Sequence, residues 1–113
     1  MQTIATAYQL ELLKAQPALL VVFVGAHCGV CRAIKPRIEG LMAQDFPEIA
    51  LAYLDCEQTP DICAQHGVFR LPVVKLFVHG QLCLEMARSF SLQELASRVD
   101  RIYRLWQASI AIK

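Results

Sequence analysis

The chain has 113 residues, 56% of them hydrophobic and 19% charged, which is long enough to bury one core without staples and too apolar for disorder. A formal net charge of +1, with acids and bases spread along the sequence, gives no electrostatic reason to expect nucleic acid or an anionic membrane as partner. The apolar run from Ala18 to Ala26 is too short to span a bilayer, and the N-terminus lacks a basic n-region and a signal-cleavage site, so the expectation is a cytoplasmic domain over residues 1–113. The odd number of cysteines, five, fits a fully paired extracellular framework badly.

Residues 5–15 carry Ala7, Tyr8, Leu12 and Leu13 among polar positions, the pattern of a short amphipathic helix closed by Gln16-Pro17. Residues 19–25 read as a buried strand. Cys28-Gly29-Val30-Cys31 follows at once, and Ile34, Ile38, Leu41 and Met42 then recur at helical spacing over 29–44, with Pro36 expected to kink that helix. Two thiols three residues apart therefore stand where a strand becomes a helix. Unpaired backbone N–H groups and the positive end of the helix dipole favour a thiolate at Cys28, and Cys31 lies one turn further in. The arrangement suggests a reversible dithiol/disulfide couple.

Ile49–Leu54 reads as a second strand. Thr59-Pro60-Asp61 opens a short helix that ends at Gly67. Residues 72–78 form a third strand, His79-Gly80 a tight turn, and 81–88 a fourth strand. Ser91-Leu92-Gln93-Glu94 has capping-box spacing, and Leu92, Leu95, Val99, Ile102 and Trp106 follow at helical intervals. Two strands joined by a helical crossover, then a hairpin and a terminal helix, imply an α/β domain with a mixed sheet covered by helices on both faces.

The element order, the C-x-x-C at the first strand–helix junction, Pro36, the Gly67-Val68 step, Pro72 and Phe77-x-x-Gly80 together resemble the thioredoxin family, over about residues 5–104. The resemblance implies a thioredoxin-like fold with a four- to five-stranded mixed sheet. It leaves only Met1–Ile4 for the family's opening strand, which is expected to be short or absent. Residues 105–113 run past the family's usual end as a C-terminal extension. The resemblance also implies a cis proline at Pro72 facing the dithiol.

The departures are equally specific. The family usually reads W-C-G-P-C, whereas His27 stands for the tryptophan and Val30 for the proline, with Gly29 retained. The buried aspartate that assists the second cysteine falls on Val22, the lysine near it on Tyr53, and a glycine beside the substrate groove on Arg88.

Cys28 is the expected nucleophile, with His27, Arg32 and Lys35 nearby to favour its thiolate, and Cys31 the resolving thiol. His27 either assists proton transfer or stabilises the thiolate, against the alternative of a solvated loop histidine. Tyr53 reads as core or groove wall. Leu71, Pro72 and Arg88 are expected to line a groove where substrate peptide pairs as an added strand. Cys56, Cys63 and Cys83 read by default as small core residues, with a regulatory Cys56–Cys63 disulfide as the alternative. Their spacing does not suit a metal site with Cys28 and Cys31, so no metal and no cofactor is expected.

The expected function is thiol–disulfide oxidoreduction: protein disulfides are reduced through a Cys28 mixed disulfide that Cys31 resolves, with an upstream thiol reductase implied by the resemblance. The alternative is a thioredoxin-fold binding module whose dithiol turns over slowly or only regulates it. The stripe of Leu105, Trp106 and Ile110 is expected to pack back on its own domain, giving a monomer.

Overall fold

The computed structural model describes residues 2–87 and 90–111, with side chains as far as residue 109. Strands β1 (Gln2–Ile4), β2 (Ala18–Val24), β3 (Ala50–Asp55), β4 (Val73–Val78) and β5 (Gln81–Ala87) form one sheet in the order β1-β3-β2-β4-β5. Helices α1 (Ala7–Lys14), α2 (Gly29–Asp45), α3 (Pro60–Gln65) and α4 (Leu92–Ala111) complete the domain. β1, β3 and β2 are parallel, while β4 is antiparallel to β2 and β5 to β4. This is an α/β thioredoxin fold. The opening strand is present but only three residues long, pairing Gln2, Thr3 and Ile4 with Ala52, Tyr53 and Leu54.

Every residue of β2 is buried, because it is the central strand and both of its faces are covered. Its side chains alternate between two cores. Leu20 and Val22 meet Cys31, Ile38 and Met42 of α2 and Leu95 and Val99 of α4. Leu19, Val21 and Phe23 meet Leu10 and Leu13 of α1 and Ile62 and Cys63 of α3. The expected face of α1 is partly wrong: Leu10 and Leu13 are buried, whereas Tyr8 and Leu12 are exposed. The i, i+3 pair is the one the sheet covers, and the helix is anchored at its start by a capping box between Thr6 and Gln9.

His79 and Gly80 both have positive φ, the conformation of a two-residue hairpin turn matched to strand twist. The ladder shifts register between Leu76 and Phe77, so that Cys83 becomes the extra residue of a bulge and stands exposed as a free thiol. α2 runs unbroken through Pro36.

Lys75 is 5% exposed in the middle of β4, a position the sequence gives as an ordinary strand residue. Its Nζ donates to the backbone oxygen of His66, lies 3.7 Å from Glu85 Oε1, and sits 5.7 Å from the Phe23 ring centroid. The carbonyl at the end of α3 thus gains a charged donor, and the charge gains partners that justify its burial.

α4 extends through the C-terminal extension to Ala111. Trp106 is 8% exposed within the α2–α4 core, edge-on to Tyr103, whose ring is edge-on to Phe46 in turn. Leu105 is exposed, and the side chains of Ile110 and Ile112 lie outside the described residues. Trp106 Nε1 is buried with no partner among the described residues, so its contribution is apolar packing. Trp106→Ala is expected to lower stability by about 3 kcal/mol in denaturant titration, while Trp106→Phe loses much less because it keeps a ring and deletes the unpaired N–H. Removal of residues 105–113 should reproduce the Ala loss without changing the sedimentation behaviour; a change of oligomeric state on truncation would make the extension an interface instead.

Candidate active site

Cys28 is the N-cap of α2, with extended backbone at φ −96° and ψ 104°. Its Sγ accepts the backbone N–H of Cys31 at 3.2 Å, and its own N–H donates to Gly25 O at 3.2 Å. Cys28 and Cys31 form a disulfide with Cα atoms 5.2 Å apart. Cys28 is half-buried, whereas Cys31 is 2% exposed and part of the α2–α4 core. The sequence therefore places the accessible sulfur at the positive end of a helix and its partner behind it.

Gly29 has open space around it and Val30 is exposed, so the intervening dipeptide projects from the surface. The Leu71–Pro72 peptide is cis. Pairing of Phe23 with Val73 sets Leu71-Pro72 alongside Val24-Gly25, at the strand end that leads into the dithiol. A Cβ on Gly25 would lie 2.8 Å from Leu71 Cδ1 and 3.2 Å from Glu57 Oε2, so a side chain there would push the ends of the Leu71 and Glu57 side chains away from that strand end. Arg88, the other expected groove residue, lies outside the described residues. Phe69, 81% exposed between α3 and the cis proline, is an apolar surface residue that sequence reasoning did not single out.

Residues 1–101 match the thioredoxin family profile. The chain belongs to the thioredoxin family. It is 31% identical over 80 residues to the thioredoxin-like protein YdfQ of Bacillus subtilis, spanning 71% of this chain and 70% of that protein. It is 27% identical over 93 residues to a thioredoxin of Chlorobaculum thiosulfatiphilum, spanning 82% and 86%. Among solved structures, Fasciola hepatica thioredoxin superposes with a TM-score of 0.75 at 28% identity, over 87% of this chain and 98% of that one. The thioredoxin of Trypanosoma brucei brucei superposes at 0.82 with 18% identity, over 90% and 89%, a likeness of fold. Membership in the family and a disulfide at the C-x-x-C make the domain a thiol–disulfide oxidoreductase acting on protein disulfides. Among the described residues no helix is long and apolar enough to cross a membrane.

Around this thioredoxin disulfide the structure fills the family's missing positions with other groups. Val22 is fully buried and apolar. Tyr53 is core, as expected, and its hydroxyl donates to Glu39 Oε1 at 2.9 Å and to Lys35 O at 3.4 Å, with Lys35 Nζ 4.4 Å above its ring. Burial first, and the Glu39 carboxylate second, push the phenol above its ordinary range, so Tyr53 is not an acid at neutral pH. A cavity of about 210 Å³ opens beside Cys31, lined by Val24, Gly25, Ala26, Arg32, Lys35 and Asp55. Asp55 is the carboxylate on that wall, and the sequence reading passed over it.

His27 is exposed and does not stand alone. Its Nδ1 lies 2.6 Å from Glu57 Oε1, and its backbone N–H donates to Glu57 Oε2 at 2.9 Å. The other cation at this end, Arg32, donates to Ala26 O at 3.0 Å. The hydrogen bond to Glu57, then its charge, raise the His27 pKa from the ordinary 6.5, and the same contacts lower Glu57 from 4.5. The imidazolium's share of the contact is complete below 6.5 and fades as pH rises through the raised value. The carboxylate's share is present above 4.5 and fades as pH falls through the lowered value. The pair is thus strongest between those two limits. In a proton NMR titration His27 should have its midpoint above 6.5, and Glu57→Gln should bring it back toward that value; an unchanged midpoint would separate the two groups.

The remaining cysteines correct the default reading. Cys56 and Cys63 form a disulfide with Cα atoms 5.7 Å apart. A seven-residue separation suffices because the chain turns at 56–59 and the first turn of α3 brings Cys63 back beneath Cys56.

Proposed function

We propose that Cys28 attacks the substrate disulfide and Cys31 releases the product. The observation that carries this reading is the cap: Cys28 Sγ takes a helix N-terminal N–H while remaining half-exposed, and Cys31 is enclosed behind it. In the reduced chain the same N–H and the dipole favour negative charge on Cys28 over Cys31. Attack of the Cys28 thiolate breaks the substrate S–S bond and forms a mixed disulfide. Cys31, once deprotonated, attacks Cys28 Sγ, the second substrate sulfur leaves as a thiolate, and the Cys28–Cys31 bond is restored to the oxidised chain. An upstream thiol reductase then returns the dithiol. Leu71 and Pro72 form the groove for the substrate backbone, with Val30 and Phe69 as apolar contacts at its margin, and the domain acts as a monomer.

The enclosed thiol must lose its proton, and Val22 offers no base. Asp55 shares a cavity with Cys31 and is the reading's proton acceptor, through solvent in that cavity. Its Oδ1 already accepts the backbone N–H of Glu57 at 2.8 Å. Asp55→Asn keeps that acceptor and removes the base.

Two measurements test this. Cys31→Ser should accumulate a mixed disulfide on Cys28 when the reduced chain meets a disulfide-bonded protein, read by mass spectrometry; capture on Cys31 in the reciprocal Cys28→Ser chain at the same rate would refute the roles. Asp55→Asn should slow release of the mixed disulfide roughly tenfold near neutral pH, with the loss shrinking as pH rises and hydroxide replaces the base. A loss independent of pH would mark Asp55 as structural.

A further inference from the structure

Asp55, Cys56 and Glu57 are consecutive. Asp55 lines the cavity beside Cys31, Glu57 holds the ring and backbone of the residue before Cys28, and Cys56 between them is bridged to Cys63. The two disulfides lie on opposite faces of the sheet, since Cys31 belongs to the α2–α4 core and Cys63 to the α1–α3 core. The segment 55–57 passes between them around the ends of β2 and β3.

The segment starts at Asp55, the last residue of β3, whose Oδ1 accepts from the Glu57 and Gln58 N–H groups and whose backbone oxygen accepts from Thr59; beyond that turn, it is held from two sides. On the strand side, the Cys56 N–H donates to Val24 O at 2.8 Å. On the helix side, the turn meets α3, which has six residues and an N-cap, Thr59, without a side-chain cap bond. A helix of that length does not hold itself in water. Its first turn is tied down by Ile62 in the core and by the Cys56–Cys63 bridge, and Cys63 is 2% exposed. Cys56, in contrast, is half-buried and flanked by the exposed Glu57 and Gln58, so an attacking thiolate has a route to its sulfur.

We propose that Cys56–Cys63 is a second redox couple, whose reduction frees the segment carrying Glu57 and Asp55 and slows the chemistry at Cys28 and Cys31. The proposal rests on the assignment of Cys28 as nucleophile. The reductant is a thiol. Its thiolate attacks Cys56 Sγ, the Cys56–Cys63 bond breaks, and Cys63 leaves as a thiolate that takes a proton from water. A second thiol attacks the reductant's sulfur in the mixed disulfide, freeing Cys56 and forming the reductant's own disulfide. Two electrons have passed to the bridge, and a disulfide oxidant reverses the step. With the bridge closed, Glu57 is held on His27 and keeps the backbone entering Cys28 in place. With it open, the turn gains freedom and both contacts loosen.

In a Cys31→Ser chain, Cys56–Cys63 is the disulfide left to open, and buffers of reduced and oxidised dithiothreitol set its state, read by peptide-resolved mass spectrometry. The bridge should open in a chain whose far-ultraviolet dichroism stays native. On opening, the His27 NMR midpoint should fall, and iodoacetamide labelling of Cys28 at pH 7 should slow by roughly three- to tenfold. Cys56→Ser with Cys63→Ser, in the same background, should match the open state without any reductant. Glu57→Gln should remove the difference between the two states. A bridge that opens only when the chain unfolds, an unchanged His27 midpoint, or equal Cys28 rates would each overturn the proposal while leaving Cys28 as nucleophile. Absence of labelling at Cys28 in both states would sink the nucleophile assignment itself, and this proposal with it.

Discussion

Helix α2 begins where β2 leaves the sheet, and its first turn brings backbone N–H groups that need acceptors. Cys28 supplies one acceptor from its sulfur, which fixes that sulfur at the helix terminus rather than in solvent or core. The rest of the site depends on this placement. Cys31 is enclosed because it is one turn further along a helix whose inner face packs on β2. Gly25 turns the chain out of the sheet, and having no side chain it lets Leu71 and Glu57 close on the same point. The cis Leu71–Pro72 peptide is brought alongside by the β2–β4 register. A shift of one residue in that register would exchange the two faces of β4 and carry Leu71-Pro72 away from its place beside Val24-Gly25.

The polar groups near the dithiol have been moved outward relative to the pattern the family usually shows. An apolar Val22 avoids placing an ionisable group between the sheet and α2, where an unpaired carboxylate costs several kcal/mol on the order of a buried polar group. Tyr53 fills the neighbouring position with a ring whose hydroxyl is satisfied by Glu39 and Lys35 O, and the Lys35 ammonium lies over that ring. The carboxylates that remain are Asp55, the last residue of β3, and Glu57, on the turn after it, where solvent reaches them. In the proposed mechanism this exchanges a fixed internal base for one at the end of a strand, beside a turn.

The parts of this architecture set by local pattern were legible in the sequence. The buried run of β2, the C-x-x-C at its end, the helix after it and the His79-Gly80 turn are all specified by neighbouring residues, and each stands within a residue or two of where the pattern puts it. The parts set by tertiary closure were not. His27 and Glu57 are 30 residues apart, and nothing in either neighbourhood announces a pair. For Cys56 and Cys63 the core reading came first and their disulfide only as an alternative, because a strand end and a helix interior have no fixed geometry until the turn between them is known. Lys75 looked like a strand residue of either face, and only the position of the α3 terminus explains its burial. The inner face of α1 was misjudged because Leu10 falls between two apolar pairs, and the sheet selects which stripe it covers.

Helix α3 shows why the two disulfides are not interchangeable in what they control. Its C-terminal end is held by Lys75, whose ammonium donates to His66 O, while the His66 ring Nδ1 meets Ile62 O at 2.9 Å and the Val68 N–H donates to Cys63 O. These contacts contain no group that thiol exchange can alter. Its N-terminal end has the bridge and a turn organised by Asp55, which accepts from Glu57 and Gln58 through Oδ1 and from Thr59 through its backbone oxygen. Opening the bridge therefore leaves the far end of α3 docked on the sheet and concentrates the gained freedom in residues 55–59. That segment faces the active-site disulfide, so a chemical event on one face of the sheet is delivered to the other with the core undisturbed. The same asymmetry explains how such an event stays local: the residues set free belong to a surface turn, of which Cys56 alone packs against the core, while Cys63 stays within it on a helix docked at its far end.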